Sequence, residues 1–159
     1  MGKKIIYYGS GKGKSMAALG FAVQYAGLGE SVDVIQCLKT KNINETNFLQ
    51  RLEPEIKMFR FEKSECSFED LSQEEKQEEK INIKNGLNFA KKVLCTGECT
   101  MLVLDEALGL IDEGIVDAEE IIDILQAGNE DTSVIITGRN MCEKLRDYVD
   151  EIYRIDVEK

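Results

Sequence analysis

Five short apolar runs punctuate the chain, at Lys4 to Tyr8, Ser31 to Cys37, Ile56 to Phe61, Met101 to Leu104 and Ser133 to Thr137, with a sixth candidate at Glu151 to Ile155. Several lack the strict alternation of a half-exposed strand, which is the pattern of strands buried on both faces. Segments of helical character lie between them. Lys14 to Ala26 is rich in Ala and Leu and stops at Gly27 and Gly29. Ser72 to Leu94 opens with a capping box formed by Ser72 and Glu75, Asp117 to Leu125 opens with another formed by Asp117 and Glu120, and Cys142 to Val149 reads as a shorter helix. Strands alternating with helices predict right-handed βαβ crossovers and a mainly parallel sheet with helices on both faces.

Composition narrows this picture. A chain of 159 residues fits one domain and buries roughly two thirds of its unfolded surface without staples. No apolar run approaches the ~20 residues of a membrane span, and the stretch after Met1 is too short for a signal-peptide core, so no membrane association and a cytoplasmic location are expected. The five Cys (37, 66, 95, 99 and 142) lack zinc-site spacing, and with no His in the chain they read as reduced, mostly buried thiols. The missing His also removes the commonest general base, so any catalysis must rely on Lys, carboxylates, backbone dipoles or a bound ion.

The net charge of −10 argues against a nucleic-acid partner. It is unevenly placed, because residues 1–41 hold six Lys against Glu30 and Asp33, a balance of +4 that leaves −14 on the remainder. Such a positive island would focus a small polyanion into one cleft. Lys39 and Lys41 belong to it, either as surface lysines or as cations near the site. The polar segment Thr40 to Glu55 reads as a loop over a ligand site. The charge-dense stretch Glu62 to Lys84 has opposite charges four apart and reads as a solvated helix face without chemistry.

The strongest chemical signal follows the first strand, where Gly9-Ser10-Gly11-Lys12-Gly13-Lys14-Ser15 leads into a helix. Glycines let successive backbone N–H groups converge on phosphate oxygens, and the helix N-terminus adds partial positive charge. Lys14 supplies a cation to the phosphates and Ser15 a hydroxyl to Mg²⁺. The first position of G-x-x-x-x-G-K-[ST] falls on Tyr8 instead of Gly. A second element, Thr100 to Glu106, is an apolar strand ending in Asp105 and Glu106, either of which would hold Mg²⁺ directly or through water. Taken alone, that strand end is equally a helix-capping turn; beside the phosphate loop it becomes a metal-site candidate. The expected fold is a single-domain RecA-like P-loop α/β fold over residues 1–159.

Read together, G-S-G-K-G-K-S-M-A-A-L-G, V-I-Q-C-L-K, L-V-L-D-E and V-I-I-T-G-R-N resemble, in order and over nearly the whole chain, the cob(I)alamin (corrinoid) adenosyltransferases of the ATP-dependent P-loop type. That family's loop also lacks glycine at the first position, and T-G-R at Thr137-Gly138-Arg139 is the most discriminating piece. The resemblance implies transfer of the 5′-deoxyadenosyl group of ATP to the cobalt of a reduced corrinoid, with triphosphate leaving. By the same resemblance, Gly9, Ser10, Gly11, Lys12, Gly13, Lys14, Ser15 and Met16 would form the ATP site. Ser15 and Glu106, with Asp105 beside them, would bind Mg²⁺, Lys14 and Arg139 would be the catalytic cations, and Phe68 would sit beside the corrinoid. It further implies a homodimer and a flavodoxin-like reductant.

The chain departs from the family pattern at two points. Met16 stands where the family loop has a second hydroxyl residue, and Cys66-Ser67-Phe68 stands where the family has an aromatic pair suited to excluding the corrinoid's lower axial ligand. Two rival readings follow: a P-loop kinase or NTPase that works on the γ-phosphate, and a non-catalytic paralogue that binds ATP or a corrinoid.

Overall fold

A computed structural model of the chain describes residues 1–38 and 50–159. The expectations for Lys39, Lys41 and most of the segment beginning at Thr40 therefore lie outside the described residues. Among the described residues, the apolar runs form β1 (Lys4–Tyr8), β2 (Val32–Gln36), β3 (Ile56–Arg60), β4 (Met101–Asp105), β5 (Ser133–Gly138) and β6 (Glu151–Arg154). They make one sheet in the order β3-β2-β4-β5-β1-β6, and every pairing is parallel. Parallel pairing needs a crossover between successive strands, which explains why helices must cover both faces.

Alternation along each strand divides the core in two. Ile6, Ile35, Leu102, Leu104, Val134 and Ile136 face α2 (Gln73–Thr96), α3 (Ala107–Asp112) and α4 (Ala118–Ala127). Ile5, Tyr7, Val32, Val34, Met101, Val103 and Ile135 face α1 (Lys14–Gly27), which packs on them through Ala18 and Ala22. The central strands are buried on both sides, as their continuous apolar character predicts. Among the described residues no helix is long and apolar enough to cross a membrane.

Both predicted capping boxes form. The Ser72 backbone N–H donates to the Glu75 carboxylate at 2.8 Å while the Glu75 N–H donates to the Ser72 hydroxyl at 3.3 Å, and Asp117 and Glu120 repeat the arrangement at α4. Four expectations need correction or refinement. The short helix expected at Cys142 to Val149 is present over Glu143–Tyr148 but is of the 3₁₀ type, in keeping with its length and with the lack of a side-chain cap. The helix α3 was not foreseen. The thiols are not mostly buried, since Cys37 and Cys99 are buried but Cys66 and Cys95 are exposed; those described are free.

The fourth correction concerns one residue of the charged stretch, Glu79, since its other charged side chains on α2 are exposed or half-buried as a solvated face requires. Lys84 and Lys91 pair across to Glu120 and Asp123 of α4 at 3.6 and 3.7 Å. Glu79 is buried, and its carboxylate accepts the backbone N–H groups of Lys63 and Ser64 at 3.0–3.2 Å and the amide of Asn82 at 3.4 Å. Three donors offset the cost of taking that charge out of water, so Glu79 anchors the segment that follows β3.

Candidate active site

Because all the strands run in one direction, their C-terminal ends share one edge of the sheet, the usual place for a ligand in an open α/β sheet. A cavity of about 460 Å³ opens there. Ser10, Gly11, Lys12, Gly13, Lys14, Ser15 and Met16 line it from the loop between β1 and α1, Asp105 and Glu106 from the end of β4, and Arg139 from the end of β5. Nearly all the sequence candidates thus meet in one place. Gly9 underlies the loop without lining the cavity. Phe68 lies elsewhere, in a 3₁₀ turn packed against the core on the α2 side with the Lys76 ammonium 5.8 Å from its ring centre.

The loop glycines divide their work. Gly13 has φ 103°, a conformation that side-chain-bearing residues adopt only with strain, and nothing would crowd a Cβ there. It turns the backbone into α1. Gly11 instead meets the chain beyond β6: its N–H donates to the Ile155 carbonyl at 2.8 Å, and a Cβ on it would lie 2.8 Å from that oxygen. Gly9 is similarly crowded by Ile155, and Asp156 accepts the Ser10 N–H and hydroxyl at 3.5 Å. Part of the glycine content therefore serves a packing contact between the loop and residues 155–156.

Lys14 is only 8% exposed, and its ammonium donates to the Gly9 and Gly11 carbonyls at 2.9 and 3.0 Å. Its charge sits at the cavity floor, held by the loop it belongs to. Ser15, the first hydroxyl of α1, donates to Asp105 Oδ1 at 2.6 Å. The same oxygen accepts the Thr137 hydroxyl at 2.8 Å, and Thr137 in turn accepts the Glu106 backbone N–H at 2.9 Å. Glu106 is the one non-glycine with positive φ (58°) among the described residues, and that turn carries the chain from β4 into α3.

The two carboxylates are not equivalent. Asp105 is buried, with one oxygen already taken by two hydroxyls, so it orients Ser15. Glu106 faces the cavity, and burial pushes its carboxyl above the ordinary value; the neighbouring Asp105 charge adds to the rise, while Lys14 and Arg139 pull the other way. A carboxylate raised by burial and a like charge is a place where an added cation is favourable.

Sequence reasoning missed three polar contributors. Gln36 lines the cavity at the end of β2, in register with Asp105, and its side-chain carbonyl oxygen is buried with no donor among the described residues. Thr137 opens the T-G-R motif and contributes its hydroxyl, and residues 155–156 meet the loop through the Ile155 carbonyl and the Asp156 carboxylate. Gln36 and Thr137 had a usable signal, a polar residue closing an apolar strand at its C-terminal end. The apolar side of the cavity, including Leu19, Val34 and Met58, is continuous with the α1-side core.

Comparison with known proteins adds a second kind of observation. A family model described as ATP:corrinoid adenosyltransferase BtuR/CobO/CobP matches residues 1–159. The chain is 30% identical over 149 residues to the corrinoid adenosyltransferase CobA of Salmonella typhimurium (strain LT2), a match covering 93% of this chain and 73% of that protein. It is 28% identical over 149 residues to the corrinoid adenosyltransferase of Escherichia coli (strain K12), with the same coverage. Among solved structures, the flagellar accessory protein FlaH from Methanocaldococcus jannaschii superposes with a TM-score of 0.61 at 16% identity, covering 96% of this chain and 70% of FlaH. EssC (ATPases 2 and 3) from Geobacillus thermodenitrificans superposes with a TM-score of 0.53 at 18% identity, covering 99% of this chain and 33% of EssC. These two likenesses concern the fold alone, a P-loop α/β sheet.

Proposed function

The chain belongs to the ATP:corrinoid adenosyltransferase family, and on that premise we propose that it transfers the 5′-deoxyadenosyl group of ATP to the cobalt of a reduced corrinoid, releasing triphosphate, in the biosynthesis or salvage of an adenosylated corrinoid. The observation that carries the reading is the hydrogen bond from Ser15 to Asp105, which ties the phosphate loop to the end of β4 inside a cavity that Arg139 also lines.

In this reaction cobalt(I) attacks C5′ of ATP, the C5′–O bond breaks, and the triphosphate leaves with the bonding electron pair. No protein base is needed, which suits a chain without His. The protein's task is to hold ATP so that C5′ is open to attack and to stabilise charge on the departing triphosphate. Loop N–H groups from Lys12 to Ser15 and the Lys14 ammonium would hold the phosphates. Arg139, which lines the same cavity from the end of β5 and whose carbonyl accepts the Gly9 N–H at 3.0 Å, would meet the same developing charge.

Magnesium fits the donor set. Ser15, Glu106 and Asp105 offer oxygen ligands, and the Gln36 side-chain carbonyl, which has no donor among the described residues, would accept a hydrogen bond from a coordinated water. Among the described residues no group of three or more His, Cys, Asp or Glu forms an all-protein cage. A cation held there by Ser15 and Glu106 would supply charge neutralisation to the triphosphate. In the fuller reading the protein acts as one domain in the cytoplasm, as a homodimer, on corrinoid reduced by a flavodoxin-like partner.

One observation favours a second reading. Phe68 packs on the core with Lys76 instead of lining the cavity, as it would in a paralogue that binds ATP or a corrinoid without catalysis. An anaerobic assay with chemically reduced cob(I)alamin, ATP and Mg²⁺ separates these. Light-sensitive adenosylcobalamin with equimolar triphosphate is the expected outcome. ATP binding without product supports the binding paralogue, and ADP with phosphate supports a kinase or NTPase.

A further inference from the structure

Thr137 is fully buried on β5, the strand lying between β1, which feeds the phosphate loop, and β4, which ends in the two carboxylates. A threonine hydroxyl has one proton to give, and here it goes to Asp105 Oδ1 at 2.8 Å. Its oxygen is thereby turned toward the Glu106 N–H, which donates to it at 2.9 Å. The same Asp105 oxygen takes the Ser15 proton at 2.6 Å, leaving the Ser15 lone pairs directed away from Asp105. One buried hydroxyl thus touches both carboxylate residues at once, one through its side chain and the other through its backbone.

The Glu106 contact bears on conformation. A left-handed turn at a residue with a side chain is unfavourable and persists only where its surroundings enforce it. The Thr137 oxygen is the partner of the Glu106 N–H in that turn, and the turn places Glu106 on the cavity wall beside Lys14 and Arg139. Without the hydroxyl, the half-buried Glu106 N–H would lose its acceptor and Asp105 would lose one of its two hydroxyl donors.

We propose that Thr137 is a positioning residue for the divalent cation: its hydroxyl locks Asp105, and through it Ser15, together with the Glu106 turn, in the one arrangement that presents a hydroxyl and a carboxylate oxygen to the same point in the cavity. The proposal rests on the Mg²⁺-ATP reading above. It assigns Thr137 no contact with ATP, so its removal uncouples cation from nucleotide without removing the phosphate loop.

The test is ATP affinity by titration calorimetry with and without Mg²⁺, together with Mn²⁺ binding followed by electron paramagnetic resonance in the presence of ATP. Thr137→Val keeps the shape and removes the hydroxyl. It is expected to leave Mg²⁺-free ATP affinity within about twofold and to reduce the enhancement by Mg²⁺ about tenfold or more, the scale of a lost hydrogen bond to a charged group. Thr137→Ser is expected to retain the enhancement and Thr137→Ala to lose it. That pair differs at this position only by the hydroxyl, and it decides the matter should the valine variant fail to fold. Equal loss of affinity with and without Mg²⁺ in Thr137→Val and Thr137→Ala would make Thr137 merely structural and overturn the proposal. Full Mg²⁺ enhancement in all three variants would overturn it as well. A wild-type protein that binds ATP equally with and without Mg²⁺ would overturn the cation reading beneath it, a result distinguishable from either.

Discussion

Gly11→Ala tests whether the second loop glycine serves phosphate or the chain's own packing. The new Cβ would lie 2.8 Å from the Ile155 carbonyl oxygen and 2.9 Å from its Cγ2, and the oxygen is backbone held by its bond to the Gly11 N–H at 2.8 Å. Ile155 is itself anchored by donating to Tyr8 at 2.7 Å, so relief requires moving residues 155 and 156 off the loop. Overpacking of this kind costs about 1–3 kcal/mol and a displaced hydrogen bond about 1 more, offset by about 0.4–1 from the reduced freedom of the unfolded chain. A net loss of about 2 kcal/mol corresponds to about 4–8 °C in Tm for a domain of this size.

The same substitution in a chain ending at Arg154 loses the three nearest obstacles, all of them atoms of Ile155, and Gly11 does not have the positive φ that would strain alanine. There it should be neutral or stabilising by up to about 1 kcal/mol. The assay is a double-mutant cycle of thermal unfolding on the full and shortened chains, with ATP affinity measured alongside, and the expected coupling is about 2–3 kcal/mol. An identical loss of stability in both chains would refute the packing argument. A collapse of ATP affinity in the shortened Gly11→Ala chain would return Gly11 to the phosphate site.

Three further outcomes follow from the site. Lys14→Met should abolish measurable ATP binding and also lower stability by about 1–3 kcal/mol, because the Gly9 and Gly11 carbonyls lose a charged donor; an unchanged melting temperature would mean the lysine is not docked. Burial holds the Glu106 carboxyl above its ordinary value of 4.5, so the folded state keeps that proton more tightly and stability is lost as pH rises from 4.5 through the raised value. Glu106→Gln should therefore be more stable than wild type at neutral pH and lose that advantage below about pH 4.5, while binding Mg²⁺-ATP more weakly; an advantage that is the same at every pH would exclude titration as its cause. Phe68→Ala should cost about 1–2 kcal/mol, less than a fully buried phenylalanine, with ATP affinity unchanged; reduced adenosyl transfer at unchanged stability would place Phe68 at the corrinoid after all.

Local chemistry decides how much of this was legible before the fold was known. The strands were readable because burial on both faces leaves almost no polar residue within them, and β1 has the predicted bounds. Two helices announced themselves through capping boxes. By contrast, α3 is six residues long, contains Gly109 and starts from the left-handed Glu106, so neither propensity nor a cap marks it. Glu79 was legible and overlooked: it stands four residues before Ile83 and eight before Leu87, on the inward stripe of α2, and mixed charge around it hid the period. The contact of residues 155–156 with the loop joins positions about 145 apart in the chain, and nothing local encodes it.

The cavity combines two kinds of residue with different origins. The loop is a continuous stretch whose order of glycine, lysine and hydroxyl states its chemistry wherever it occurs after a strand and before a helix. Gln36, Asp105 and Thr137 come from separate strands and become neighbours only because parallel pairing brings every C-terminal end to one edge, where Gln36 is in register with Asp105 and Thr137 with Tyr7. Each closes an apolar run, and a polar side chain in that position is costly unless it has a partner. Asp105 and Thr137 satisfy each other, and the Gln36 oxygen has no donor among the described residues. Among the described residues, these three strand ends therefore leave only the Gln36 oxygen open, and it lies on the wall of the cavity the loop also lines. A bound species with a proton to donate at that point would finish what the sheet leaves open, so a loss of Mg²⁺-ATP affinity in Gln36→Leu is the consequence to expect of the strand ends and the loop acting as one site.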